Sequence, residues 1–418
     1  MTPRGGSAVC MAVCITSVAS CGARIPTPAA GSAEQGASSS LVPPSALEVL
    51  RGSSSGGAAN EGFARALTVR AFEFPRDHGP HPQFRHEWWY WTGHLEAANG
   101  ARFGFELTFF RIALAPPAAG GSPASLASPA ASGPTENAAS ESHWRARQIY
   151  VAHFAITDIG RKQFHSAARY ARDALGLAGA QAMPPRVWLE GWSLADTPRD
   201  AGGDGDWMLK ASDSDYGLRL DLHALGPPVL NGERGLSVKS DAPRSASYYY
   251  SIPRLSARGA LTVAGRALPV SGIAWLDREW GSGSLGPHEQ GWDWFALQLA
   301  DGSALMFYSL RDAGGAPDPH SAGTWIAADG STRALASEDV RIDIQDHWRS
   351  PHGDLYPSRW RVRSARLALD VSAAPVLADQ ELETTPRYWE GDVAVSGTKD
   401  GRPISGAGYV ELVGYSSR

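Results

Sequence analysis

Cysteine is scarce in this chain and confined to one end: Cys10, Cys14 and Cys21 are the three cysteines in 418 residues. Beyond Cys21 there is no thiol, so the body can form no disulfide and use no cysteine nucleophile. A chain of this length can bury a full core without cross-links, so an oxidising compartment remains open to it. Neither sign of charge dominates. Against 38 Lys and Arg stand 43 Asp and Glu, a formal net charge of −5. With no basic excess, no nucleic-acid partner is expected. Long helical periodicity is nearly missing, and the one good helix candidate runs from Ser166 to Leu177. Gly-x-Ser-x-Gly, phosphate-loop and His-Glu-x-x-His motifs are all lacking. His78, His81 and His86 lie close together, but among prolines and at no metal-ligand spacing. No metal and no cofactor are expected.

What the N-terminus does hold is a short apolar run, Ala8 to Ile15, behind a single charge at Arg4. The run is shorter than the roughly 20 apolar residues that span a bilayer, and it suits the core of a signal peptide. It leads into Val18-Ala19-Ser20-Cys21, which has the form of a lipobox: small residues admit the peptidase and the cysteine takes the acyl chains. Residues 1–20 therefore read as a lipoprotein signal peptide and Cys21 as the lipidated residue, with a plain secretory peptide as the alternative. Residues 21–66 are rich in Ala, Ser, Gly and Pro and read as a flexible linker. The expected location is extracytoplasmic and lipid-anchored. Gly22 after the cysteine, rather than Asp, favours the periplasmic face of an outer membrane over an inner one.

Fifteen Trp residues and segments rich in Tyr, Phe and Val mark the rest as all-β. Asn99-Gly100, Asp301-Gly302, Asp329-Gly330 and Asp400-Gly401 each separate two strand-like runs, as hairpin turns do. Two hairpins echo each other. Residues 87–111 and 291–311 each carry Trp-x-Trp on a first strand, a two-residue turn, an aromatic second strand and a closing Arg. The echo suggests a duplicated barrel, with domains at 67–253 and 254–418. Residues 115–142 are low in complexity and read as a long exposed insertion within the first domain, and residues 196–206 look similar.

Alternation assigns faces. Glu87, Trp89 and Trp91 share one side of the first strand. Trp292 and Trp294 share one side of its counterpart. Most such aromatics belong to a core, yet a barrel of large side chains also leaves an apolar cavity with a polar rim, a usual small-ligand site. Trp275-Leu276-Asp277-Arg278-Glu279-Trp280-Gly281 puts Asp277 and Glu279 on the same side as Trp275. Two carboxylates side by side among aromatics repel and are poorly solvated, so one should hold its proton and could serve as a general acid. An ion-paired structural turn is the alternative. His153 alternates with apolar residues, as a cavity wall or a satisfied core histidine would.

Taken together, Phe74-Pro75-Arg76-Asp77-His78-Gly79, Glu87 to Leu95, Ala152 to Asp158, Tyr248-Tyr249-Tyr250-Ser251, Trp275 to Gly281, Gly291 to Trp294 and Gly408 to Tyr415 resemble the AttH/CrtC family. The resemblance covers the whole body. It implies two lipocalin-like antiparallel β-barrel domains in tandem. One branch of that family hydrates carotenoids at the 1,2 double bond, and other members are exported proteins, some encoded beside transporter permeases. At two places this chain departs from the hydratase branch. Arg278 stands where a His is common, and Met306-Phe307-Tyr308-Ser309 has no Asp. The reading is an exported lipoprotein that binds an elongated apolar molecule, a lipid or isoprenoid, in an aromatic-lined barrel. Glu87, Trp89, Trp91, His153, Tyr249, Trp275, Trp292, Trp294 and Tyr308 are the candidate ligand contacts. An ABC-type transporter permease is a candidate partner. The alternative is a hydratase or hydrolase in which Asp277 and Glu279 are catalytic.

Overall fold

The computed structural model describes residues 60–117, 146–197, 206–241, 245–283, 285, 289–312, 314–384 and 387–416. The expected signal peptide, Cys21, residues 21–59 of the linker, and residues 118–142 and 198–205 of the two insertions lie outside them.

Strands make up the described body. The first are β1 (His86–Ala97), β2 (Arg102–Ala113), β3 (Gln148–Asp158), β4 (Gln163–Arg172), β5 (Ala178–Gln181), β6 (Arg186–Leu189) and β7 (Trp192–Asp196). Next come β8 (Asp206–Asp213), β9 (Tyr216–Ala224), β10 (Val229–Leu230), β11 (Leu236–Val238), β12 (Ala246–Val263) and β13 (Arg266–Gly281). A second series holds β14 (Glu289–Leu299), β15 (Ala304–Asp312), β16 (Ala322–Ile326), β17 (Thr332–Ala336) and β18 (Arg341–Arg349). It ends with β19 (Leu355–Ser364), β20 (Leu369–Pro375), β21 (Glu381–Leu382), β22 (Tyr388–Lys399) and β23 (Arg402–Val413).

These strands form two curled antiparallel sheets, the first nearly a closed barrel and the second a half-barrel. The first runs β4-β3-β2-β1-β13-β12-β9-β8-β7-β6-β5, and the second β17-β16-β15-β14-β23-β22-β20-β19-β18. The plan is the same twice. In each sheet the opening strand sits between its hairpin partner and the closing strand, β1 between β2 and β13, and β14 between β15 and β23. All four expected turns join the paired strands they were expected to join.

Three expectations are corrected. Ser166 to Leu177 is not a helix. Most of it belongs to β4, which adds to the edge of β3, and Ala167 and Ala171 pack against the core from there. Pairing with a preformed edge and burial of alternate small residues override a helix-like spacing. Next, the expected boundary at residues 253 and 254 falls inside β12, whose far half pairs with β9 and β13. Ladder hydrogen bonds thus tie residues 254–281 to the first sheet, and the chain changes sheets between Gly281 and Glu289. Finally, the two hairpins align one residue away from the Trp-x-Trp match. Tyr90 lies opposite Thr108, while Trp294 lies opposite Tyr308, so Trp88 and Tyr90 are the counterparts of Trp292 and Trp294.

That shift separates inside from outside. Trp89, Trp91, Trp192, Trp207 and Trp280 fill the first barrel, with Tyr150 and Tyr250. Phe295, Phe307, Trp325, Trp360 and Trp389 fill the second curl. Small barrels have interiors just wide enough for side chains, and these are packed with rings. The opposite faces of β1, β13 and β14, bearing Tyr90, Trp275 and Trp294, meet between the sheets as a further apolar cluster. Across that seam Thr157 Oγ1 donates to Gln380 Oε1 at 2.8 Å, and the Arg254 guanidinium caps the carbonyls of Leu299, Gly302 and Ser303.

Candidate functional site

A cavity of about 960 Å³, counting the space open to solvent at its mouth, lies in that seam between the two sheets. Its walls come from both: Trp88, Tyr90, Thr108, Phe110, Tyr249, Asp277 and Glu279 from the first, and Trp292, Trp294, Tyr308, Leu310, Tyr388, Glu390 and Glu411 from the second.

Strand register explains the convergence. Residues opposite one another on antiparallel neighbours share a face. One such row crosses the first sheet as His153, Thr108, Tyr90, Asp277 and Ser251. Its counterpart crosses the second as Tyr308, Trp294, Glu411 and Glu390. The two rows face each other, and the Tyr90 ring meets the Trp294 ring edge-on at 5.0 Å.

Asp277 is the most elaborated polar group. Ser251 Oγ donates to its Oδ1 at 2.5 Å, Trp275 Nε1 to the same oxygen at 2.8 Å, and Tyr249 Oη to Oδ2 at 2.6 Å. Trp294 Nε1 in turn donates to Tyr249 Oη at 3.1 Å, tying the second sheet to the carboxylate. Burial pushes the Asp277 carboxyl up, the three donors pull it back, and the balance is about 7. Burial, with Asp277 beside it, keeps the Tyr249 phenol protonated, as a donor must be. Glu279 accepts from Ser247 Oγ, and Lys239 Nζ lies 3.4 Å from it while sitting 3.9 Å over the Tyr308 ring.

The second sheet supplies carboxyls of another kind. Buried Glu390 and half-buried Glu411 lie on adjacent strands, with buried Glu106 of β2 nearby, and desolvation raises all three above the ordinary range. Each also feels the others or the Asp277 side as like charge. Trp292 Nε1 donates to Glu411 Oε1 at 3.1 Å. Tyr388, on the wall, meets His153 Nδ1 at 2.8 Å across the seam. His153 is fully buried, and burial alone drops it to about 3, so its ring is neutral.

Of the expected residues, Asp277, Glu279, Tyr249, Trp292, Trp294 and Tyr308 line this one cavity. Trp275 and His153 stand behind its wall, Trp275 bonded to Asp277 and His153 to Tyr388. Glu87, Trp89 and Trp91 are elsewhere. They point into the packed first barrel, where burial would raise the Glu87 carboxyl but Arg111, His81 and Arg278 hold it well below the usual range. The expected cavity inside a barrel is thus corrected to one between sheets. The residues missed are Trp88, Tyr90, Glu390 and Glu411. A signal existed: each glutamate is opposite in phase to the core residues of its strand, Trp389 and Val393 for Glu390, Val410 and Leu412 for Glu411.

Known proteins share this fold. A family model described as AttH-like matches residues 65–415. The crystal structure of an AttH from Nitrosomonas europaea is 33% identical and superposes with a TM-score of 0.72, covering 85% of this chain and 100% of that one. Kievitone hydratase from Nectria haematococca shares the fold at 16% identity and a TM-score of 0.60, covering 86% and 97%. The dehydratase asqC of Emericella nidulans is 23% identical over 261 residues, 56% of this chain and 69% of that protein.

Proposed function

The chain belongs to the AttH-like family, and from that premise we propose that it adds water to, or removes it from, a carbon–carbon double bond of an apolar substrate held between its two sheets. The observation that carries this reading is Asp277: a buried carboxyl on the cavity wall, clamped by three donors and poised near neutrality, with aromatic faces around it. A general base or acid works best when its pKa lies near the operating pH. Three donors pointing at Asp277 favour its anionic form, so its part is to take a proton from water during addition and return it during elimination. A cation developing on substrate carbon would meet the faces of Tyr249, Trp294 and Trp88, each such contact contributing roughly 0.5–2 kcal/mol. Kievitone hydratase and the dehydratase asqC, both similar to this chain, are named for the same reaction class, which supports the reading.

The test uses a short acyclic isoprenoid tertiary alcohol in ¹⁸O-water, following label exchange and formation of the alkene. The wild-type protein should exchange label, and Asp277→Asn should lower the rate by at least about 100-fold while keeping its fold. Exchange that is absent in the wild type, or unchanged in the folded variant, would sink the reading. An apolar molecule that copurifies and is released unchanged would instead favour binding without turnover, which the aromatic walls also support.

A further inference from the structure

The duplicated plan carries one step further. The closing strand of the first sheet, β13, presents Asp277 opposite Tyr90 of the opening strand. The closing strand of the second, β23, presents Glu411 opposite Trp294 of its opening strand. Tyr90 and Trp294 are themselves counterparts and touch across the seam. Asp277 and Glu411 therefore occupy the same place in two copies of one design, and the two faces bring both onto the wall of one cavity.

Their surroundings differ in a way that divides the work. Asp277 receives three hydrogens, which suits an anion. Glu411 receives one, from Trp292, and has the Glu390 carboxyl directly opposite on the neighbouring strand, an arrangement that disfavours a second negative charge.

Resting on the hydro-lyase reading above, we propose that Glu411 is the proton donor to substrate carbon, working across the cavity from Asp277. In addition, the π pair of the double bond takes the Glu411 proton, forming a C–H bond and leaving Glu411 as carboxylate and the neighbouring carbon cationic. A water oxygen then bonds to that carbon, and its surplus proton passes to Asp277. The sum is one water added. Proton exchange with solvent returns Asp277 to carboxylate and Glu411 to acid. Elimination is the same sequence reversed.

Glu411→Gln tests this, because Gln can still accept from Trp292 Nε1 yet has no acidic proton. In the labelled-alcohol assay, alkene formation, the step that moves a proton between carbon and Glu411, should fall at least about 100-fold in Glu411→Gln with KM within a few-fold of wild type. In infrared spectra at pH 7, the protonated-carboxyl absorption of wild type should lose the Glu411 component in the variant, while the share of Glu106 and Glu390 remains. Trp292→Phe covers the case of a variant that does not fold. Losing the donor should move the alkaline limb of the pH–rate profile to higher pH. Alkene formation at the full rate by folded Glu411→Gln, an unchanged carboxyl band, or an unmoved alkaline limb would each overturn the proposal. If Asp277→Asn is inactive while Glu411→Gln is not, the reaction class stands and the role of Glu411 falls. If wild type exchanges no label, both fall.

Discussion

Single residues in this protein are read best by the company their charges keep. Glu87 and Asp277 are both buried carboxyls in aromatic surroundings, yet one is held far below neutrality and the other sits close to it. Glu87 lies in the packed barrel with Arg111 Nε at hydrogen-bond distance and Arg278 Nη2 at 3.0 Å, and is an anion locked in an ion network. Asp277 faces a cavity with neutral donors only, and its proton is mobile near pH 7. Arg278 also donates to the carbonyls of Trp88 and Gly79 and stacks 3.9 Å over Trp89. Substituting Arg278→Met removes one partner and leaves Glu87 short of a counter-charge. Urea unfolding should show a loss of about 3–5 kcal/mol, and a change below 1 kcal/mol would mean that Arg111 and His81 satisfy Glu87 without it. The side of a strand on which each residue falls was legible from alternation. Which side was interior and which was the cavity was not, because both sides of β1 carry large rings.

Among elements, the decisive contact is between sheets rather than within one. Gly104 on β2 has no room for a side chain: a Cβ there would lie 2.5 Å from Tyr409 Oη and 2.9 Å from Asp392 Cβ of the second sheet. Its backbone is thus pressed directly against β22 and β23, and His94 Nδ1 reaches Asp392 Oδ2 at 3.2 Å beside it. Gly104→Val should push the sheets apart and cost about 1–3 kcal/mol, read by urea unfolding, while lowering affinity for any apolar probe bound in the seam. Undiminished stability would show that the sheets give way easily at this point. The hairpins themselves were predictable, since turn chemistry and alternation are local. The helix expected at 166–177 failed because an edge strand offered those residues ladder hydrogen bonds that no local pattern reveals.

For the whole molecule, the buried titratable groups predict how stability follows pH. Asp277, at about 7, and the raised Glu106, Glu390 and Glu411 keep their protons when folded well above the pH at which they lose them unfolded. Between about pH 4 and their folded values, the native state holds more protons, so stability falls as pH rises, by about 1.4 kcal/mol per unit for each group in its window. His78, His86 and His153 act in the other direction. Each is held neutral down to about pH 3, so each takes away stability only as pH falls below its unfolded value near 6.5. Above pH 6.5 the histidines are neutral in both states and the carboxyls set the slope. Thermal unfolding should therefore give a lower Tm at pH 8.5 than at pH 6.5, and Glu106→Gln should shrink that difference. An equal or higher Tm at pH 8.5 would contradict the burial assigned to these carboxyls.

By itself the sequence determined the all-β class, the four tight hairpins, the duplication, and the shared face of Asp277 and Glu279. Each of these depends on neighbours along the chain, on a repeated pattern or on a family likeness, all of which can be read in one dimension. Only the tertiary structure decided that the barrels are filled, that residues 254–281 complete the first sheet, and that the cavity lies between the sheets. Glu411 joins Asp277 there from more than a hundred residues away because two sheets press together the faces that their own cores leave unused. That choice of face depends on how many rings each curl can hold, a volume that no single strand carries in its sequence.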